Sequence, residues 1–470
     1  MSGKVYLVGC GPGAADLLTL RAVETLRKAD VVLYDRLADP KALGHAVKAR
    51  KIPSGKKPGE SLKQGWINRR LYSEARKGNV VVRLKNGDPM VFGRGGEELQ
   101  YLQHRGVDVE VVPGLSSAIS VPSLSKIPLT KRGVSSSLTI LTGHRAEGRR
   151  QGWRNLGGTV VVLMAVENLG EVVEKLKRMG KPAATPCALI SSGATDEERL
   201  AVSTLGRIFD FSRRAGLRAP AVLVVGEVVS GLLDFKGKRI TTFRAKDEVK
   251  RTERLVRRAG GVPKVFEICE TSSNEQWLRA AASKEWDTLV FMSAAGVRSV
   301  AEIFDFRKHK LVAVGGTTRA ELMRRGFRRV WVPREQSLAG VRELLKKKNL
   351  GRVLAFRSPL ATEKLAGATN VVAYKVKPKN LEQTVRTYLK IKSDYTLLTS
   401  SGLLKYLLNS AQKIGLKKRF LQKINSSFVI SLGKEITEIS SKNGININHE
   451  PEKPTIDTLF APSGSPRPTG

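Results

Sequence analysis

The sequence predicts an α/β protein built from more than one domain, and three observations predict it. At 470 residues the chain is too long for a single compact core, because core units run to roughly 150 residues each. Short apolar runs alternate with amphipathic stretches along the chain, the pattern of strands exchanging with helices. Several of the apolar runs end in turns rich in glycine and small residues, where a strand hands over to a helix.

The elements follow in order. A strand over 4–9 enters the turn Gly9-Cys10-Gly11-Pro12-Gly13, after which Leu17, Leu20, Val23 and Leu26 recur every three residues, as on one helical face. Further strands are expected over 31–34, 80–84, 107–112, 138–141, 159–164, 188–190 and 221–225. A polar break at 233–238 separates the last of these from a new strand at 239–243, and a domain boundary is placed there. The second half carries a faint duplication: the stretch from Asp287 through Ser293 echoes the stretch from Asp394 through Ser400, each an apolar strand, a small-residue turn and a helix. A second echo links 312–315 with 430–433, and two similar α/β lobes account for both. The last ten residues, 461–470, are expected to be a disordered tail.

Composition narrows the function classes. No apolar run approaches the roughly 20 residues needed to span a bilayer, and no leader-like segment opens the chain, so a cytoplasmic protein without membrane partners is expected. Cys10, Cys187 and Cys269 are scattered and form no CxxC pair, and the five histidines show no ligand spacing, so neither a disulfide framework nor a metal site is expected. Against 43 Asp and Glu stand 82 Lys and Arg, a net charge of +39. A distributed positive field attracts nucleic acid, a polyanionic metabolite or solvent ions, and a compositional bias accounts for it equally well.

Two loops carry the chemistry. Gly9 to Gly13 lets main-chain N–H groups approach a ligand, although Pro12 removes one donor that a dinucleotide-binding turn would use. That turn is the sole support for a dinucleotide-dependent oxidoreductase. The loop from Asn86 to Glu98 holds four glycines and a proline within its first eleven residues, which shapes a main-chain pocket, with Asp88 able to accept from a ligand hydroxyl or ammonium. Pro113-Gly114-Leu115-Ser116-Ser117-Ala118 forms a third small-residue turn.

These stretches, with Tyr34-Asp35-Arg36-Leu37, Gly55-Lys56-Lys57 and Ile127-Pro128-Leu129-Thr130-Lys131-Arg132-Gly133, resemble the uroporphyrinogen-III C-methyltransferase family over about 230 residues. The second half, through its segments at 236–244, 290–298 and 314–320, is similar to uroporphyrinogen-III synthase, and the pair resembles a known bifunctional fusion. The resemblance implies a two-lobed tetrapyrrole methyltransferase domain over 1–235 and a two-lobed α/β synthase domain over 236–460. It implies S-adenosylmethionine as co-substrate and no metal. Hydroxymethylbilane and uroporphyrinogen III would be the anionic substrates, precorrin-2 the doubly methylated product, and the methyltransferase half a homodimer. The family's donor contacts fall on Pro12, Asn86, Gly87, Asp88, Val91, Ser116, Ser117, Met164 and Gly193, and its base and acid on Asp35 and Lys56. Arg83, Arg94, Lys131, Arg132 and Arg145 are candidates for substrate carboxylates. In the synthase half, position points to Ser293, Thr318 and Ser400. Asn86 stands where the family's turn has glycine, and Leu163-Met164-Ala165 replaces a Tyr-Met-Gly pattern. The alternative is an RNA methyltransferase of the same fold, since one branch modifies ribosomal RNA and the charge suits a phosphate backbone. The Tyr-Asp-Arg-Leu stretch and the loop from Gly87 to Glu98 resemble the tetrapyrrole branch instead.

Overall fold

The computed structural model describes residues 3–35, 40–54, 64–143, 156–348, 350–359, 361, 363–452 and 455–460. The chain forms two compact units, Met1–Asp234 and Phe235–Gly470.

The first unit holds ten strands: β1 (Lys4–Gly9), β2 (Val31–Tyr34), β3 (Arg50–Pro53), β4 (Val81–Lys85), β5 (Asp108–Val112), β6 (Leu138–Thr142), β7 (Thr159–Leu163), β8 (Pro186–Ser191), β9 (Arg199–Thr204) and β10 (Ala221–Val225). They make two sheets. One runs β3-β2-β4-β1-β5 with every pair parallel, and the other runs β6-β7-β10-β8-β9, antiparallel except for β6 beside β7. The all-parallel sheet is covered on both faces, which is why β4 is buried at every residue. Its order reverses at β4 and β1, so the carboxyl ends of these strands open into a crevice.

The expected strands of this unit are present, with instructive shifts. The strand over 159–164 stops at Leu163, because Met164 turns into the left-handed region at φ 56°. The apolar face proposed for 17–26 is only partly used. The helix Leu20–Arg27 buries Ala22, Thr25 and Leu26, whereas Leu20 is 84% exposed. A three-residue repeat drifts off a helix of 3.6 residues per turn, and six residues from Leu26 it has left the buried face. Strand β3 was not anticipated: it is a mostly exposed sheet edge of Arg50, Lys51, Ile52 and Pro53, without the apolar pattern that announces a strand.

The second unit also has two sheets. Its strands are β11 (Arg239–Ala245), β12 (Val262–Ser273), β13 (Thr288–Phe291), β14 (Lys310–Ala313), β15 (Val330–Trp331), β16 (Val353–Arg357), β17 (Thr369–Val372), β18 (Tyr374–Pro378), β19 (Tyr395–Leu398) and β20 (Phe428–Ser431). The orders are β18-β12-β11-β19-β20 and β15-β14-β13-β16-β17. The chain leaves the first sheet after β12 and returns with β18, so one lobe is inserted into the other. Phe291 and Phe356 stack at 5.1 Å in the core of the inserted lobe, with Phe304 and Phe306 against them. Arg298 ties the lobes together: its guanidinium bonds Asp247 and Glu248 of one and Glu321 of the other.

The echo between the two stretches is structural. Asp287 and Asp394 each precede a central strand, and each accepts the main-chain N–H that opens the neighbouring strand segment, from Arg352 at 2.6 Å and from Arg239 at 2.8 Å. Ser293 and Ser400 each cap the helix that follows. The segment 461–470 lies outside the described residues.

Asp394 also takes a bidentate contact from the Arg239 side chain, at 2.9 and 2.8 Å. These bonds hold its carboxyl down at about 2, below the ordinary 3.8. A carboxyl depressed by folding stabilises fully above its unfolded value and loses that contribution as pH falls through the folded one. Asp394→Asn is therefore expected to lower the urea midpoint at pH 7 and to remove part of the acid loss between about pH 4 and pH 2. An acid limb identical to that of the parent chain would contradict this.

Candidate functional site

The first unit contains a cavity of about 1650 Å³ at the carboxyl ends of its parallel strands. Three turns shape its floor. After β1, Gly11 and Gly87 exchange two main-chain bonds: the Gly11 N–H donates to the Gly87 carbonyl at 3.2 Å, and the Gly87 N–H to the Gly11 carbonyl at 2.7 Å. Cys10 N–H adds a third bond, to the Lys85 carbonyl at 2.8 Å. The turn after β5 closes on both, since a Cβ at Gly114 would lie 2.3 Å from the Gly87 carbonyl oxygen. Only bare main chain fits there.

Asp88 ties these turns together. Its Oδ1 accepts the Met90 N–H at 2.8 Å and its Oδ2 the Gly114 N–H at 3.1 Å, so the side chain that the sequence suggests as a ligand acceptor spends both oxygens on the loops. Asn86 does not adopt a left-handed backbone. That demand falls on Gly87 at φ 64°, which leaves asparagine at 86 compatible with the turn, and its Oδ1 accepts from the Cys10 thiol at 3.4 Å. Ser116 caps the helix Ser117–Leu124, whose amino end opens at the cavity. The cavity is also lined by Met164, 40% exposed at positive φ, and by Gly193, which sits between Ser192 and Ala194, at φ 50° and 65°.

Beside these turns lies a cluster of buried charge. Arg83 and Lys85 occupy alternate positions of β4 and so share one face of the sheet. They are 2% and 3% exposed, and Glu98, fully buried, faces them from the helix Gly95–Gln103. Glu98 Oε1 accepts from Arg83 Nε at 3.3 Å, Lys85 Nζ at 3.0 Å and Gln64 Nε2 at 2.9 Å. Burial first, and then the Arg83 guanidinium, push the Lys85 ammonium below its usual value, with Glu98 and Asp35 opposing. Arg83 continues outward to Ser54 Oγ at 2.9 Å and Asp35 Oδ1 at 2.5 Å.

The cavity thus brings together Pro12, Asp35, Asn86, Gly87, Asp88, Val91, Ser116, Ser117, Met164 and Gly193. Lys56 and Arg145 fall outside the described residues. Arg94 lines the cavity but is paired with Glu97 at 2.9 and 2.6 Å. Arg83 lines it too, yet its donors are committed to Glu98, Ser54, Asp35 and the Leu84 carbonyl, so a substrate carboxylate finds little left to bind. Lys131 and Arg132 are exposed and do not line it. In the second unit Ser293 accepts from Gly296 N–H at 3.0 Å and Ser400 from Leu403 N–H at 3.4 Å, while Thr318 is 4% exposed within the helix Gly316–Arg324. Ser293 and Thr318 belong to the inserted lobe and Ser400 to the other. Among the described residues no group of His, Cys, Asp and Glu could hold a metal ion, and no helix is long and apolar enough to cross a membrane.

Sequence reasoning missed Ser54, Gln64, Lys85 and Glu98. One sign was available: two basic residues two apart within a strand apolar enough to be buried need a buried counter-charge. Removing that counter-charge strands two cations, so Glu98→Ala is expected to cost about 3–5 kcal/mol of stability in urea denaturation. An unchanged midpoint would show that the cluster contributes nothing net.

Comparison with known proteins places both halves. The family model for Tetrapyrrole (Corrin/Porphyrin) Methylases matches residues 4–208, and that for Uroporphyrinogen-III synthase HemD matches residues 250–461. A uroporphyrinogen-III C-methyltransferase of Methanocaldococcus jannaschii is 44% identical over 239 residues, which is 49% of this chain and 99% of that protein. One from Priestia megaterium is 42% identical, covering 48% of this chain and 99% of its own length. A crystal structure of uroporphyrin-III-C-methyltransferase from Thermus thermophilus is 41% identical, with a TM-score of 0.43, over 48% of this chain and 96% of that one. On the strength of the two family models and of the Methanocaldococcus and Priestia relatives, the chain belongs to the uroporphyrinogen-III C-methyltransferase family of tetrapyrrole methylases and carries a uroporphyrinogen-III synthase domain in its second half.

Proposed function

We propose that the second unit closes hydroxymethylbilane to uroporphyrinogen III and that the first methylates this product twice, with S-adenosylmethionine, to give precorrin-2. The observation that carries the reading is the cavity: main-chain turns suited to a small polar cofactor and the carboxylate of Asp35 line one space. Its volume of about 1650 Å³ exceeds the roughly 300–1,000 Å³ of ordinary small-molecule sites, which leaves room for a methyl donor beside a tetrapyrrole. The matched relatives are tetrapyrrole methylases, which favours this reading over an RNA substrate.

S-adenosylmethionine supplies a methyl carbon on a sulfonium whose departure is neutral, so alignment rather than strong acid catalysis sets the rate. The chain's residues fit the donor. The N–H groups at the start of the helix Ser117–Leu124 suit its carboxylate, and the tied turns at Gly11, Gly87 and Gly114 give a surface that does not have to reorganise on binding. Asp35, the residue after β2, is the proposed acceptor of the proton that the methylated macrocycle must lose, and Lys56 is the proposed acid. Among the described residues Lys41 and Arg94 are exposed cations on the cavity wall; they suit the propionate and acetate arms, Arg94 through the donors that its pair with Glu97 leaves over. In the synthase half, Ser293, Thr318 and Ser400 stay the residues proposed to contact the bilane.

The full chain incubated with hydroxymethylbilane and S-adenosylmethionine is expected to yield precorrin-2, detected by absorbance and mass. Accumulation of unmethylated type I porphyrinogen alone would overturn both halves of the reading. Asp88→Ala is expected to raise the Kd for S-adenosylmethionine roughly tenfold by releasing Gly114 and Met90; an unchanged calorimetric affinity would remove Asp88 from the site.

A further inference from the structure

We infer that Ser54 is a positioning residue for Asp35, acting as a hydrogen-bond donor that follows the carboxylate's protonation state, with Arg83 and Glu98 as its fixed backing. The inference rests on the reading of Asp35 as proton acceptor.

The register of the sheet creates the arrangement. Tyr34 and Pro53 are partners on the adjacent parallel strands β2 and β3, so the residues that follow them, Asp35 and Ser54, emerge side by side at the cavity edge. Ser54 is 4% exposed, and its N–H donates to the Tyr34 carbonyl at 2.9 Å. Its Oγ accepts from Arg83 at 2.9 Å, which leaves one hydroxyl hydrogen. Two acceptors lie in reach of that hydrogen: the Tyr34 carbonyl at 2.9 Å and Asp35 Oδ1 at 3.0 Å. A hydroxyl rotor chooses between them. While Asp35 is ionised the carboxylate is the stronger acceptor. When Asp35 takes a proton, the hydroxyl turns to the carbonyl, and no donor is stranded.

The geometry also selects the oxygen that reacts. Ser54 and Arg83 both bond Oδ1, and among the described residues none bonds Oδ2, although Asp35 lines the cavity. Arg83 cannot drift, because Glu98 holds its Nε from behind. Methylation of a ring carbon that already bears a carboxylate arm leaves that carbon without hydrogen and the ring as an iminium cation. In the proton-transfer step a C–H bond of the adjacent methylene bridge therefore breaks, its electron pair forms a C=C bond to the ring and neutralises the nitrogen, and the proton passes to Oδ2. It then leaves to solvent from a side chain that is 34% exposed. The charged groups around Asp35 are Arg83 and Lys85 from β4, Glu98 from the helix Gly95–Gln103, and Lys41 of the helix Pro40–Gly44 on the same cavity.

The test uses the full chain with uroporphyrinogen III and S-adenosylmethionine. Ser54→Ala is expected to lower kcat about tenfold, with both KM values within about twofold. Because a donor to the ionised form is lost, the acid limb of the kcat profile is expected to move to higher pH. Ser54→Thr is expected to restore kcat and Ser54→Val, of the same shape without the hydroxyl, to match alanine, which separates the bond from packing. In an Asp35→Asn background Ser54→Ala is expected to add nothing. If Asp35→Asn is inactive while Ser54→Ala and Ser54→Val keep the parent kcat and acid limb, this inference fails and the Asp35 reading stands. If Asp35→Asn keeps full activity, the Asp35 reading fails and takes this one with it.

Discussion

The two reciprocal hydrogen bonds between Gly11 and Gly87 are the constraint on which the rest of the first unit depends. They join the turn after β1 to the loop after β4, main chain to main chain, and Gly114 closes on the pair at a distance no side chain would survive. A floor built this way is rigid because its hydrogen-bonding groups are satisfied within the protein before any ligand arrives. Asp88 extends the same logic with a side chain, bridging the loop after β4 to the turn after β5.

The floor would be of little use without the charge beneath it. Arg83 and Lys85 project from a fully buried strand, and burying two cations is tolerable only because Glu98 faces both. The cluster is not a closed structural pair, since Arg83 reaches past Glu98 to Ser54 and Asp35 at the cavity. One guanidinium thus joins the buried charge to the edge of the cavity. The second unit uses charge differently. There Arg298 spans two lobes of one fold, and its position is set by three carboxylates.

Much of this architecture was legible in the sequence because it is encoded locally. Alternation and apolar runs gave β1, β2 and β10 with their limits, and the small-residue turns marked the strand ends that now line the cavity. The echo of Asp287 in Asp394 marked two strands that do the same job in two sheets. What escaped has physical reasons. Edge strand β3 carries no apolar period because it buries little. Leu20 is exposed because a spacing of three is not a helical period. Ser54 and Gln64 have no motif at all, and they matter only through what folding sets beside them.

The amino-acid order by itself determined the α/β class, the places where bare main chain was required, and the resemblance that pointed to tetrapyrrole chemistry, since each depends on residues close together in the chain. Tertiary structure alone decided that Asp88 serves the loops on both of its oxygens, that the donors of Arg83 are largely committed to the protein, and that, among the described residues, the side-chain bonds to Asp35 fall on one of its oxygens. These are questions of which donors reach which acceptors across dozens of residues. Strand register and burial answer them, and no local pattern encodes either.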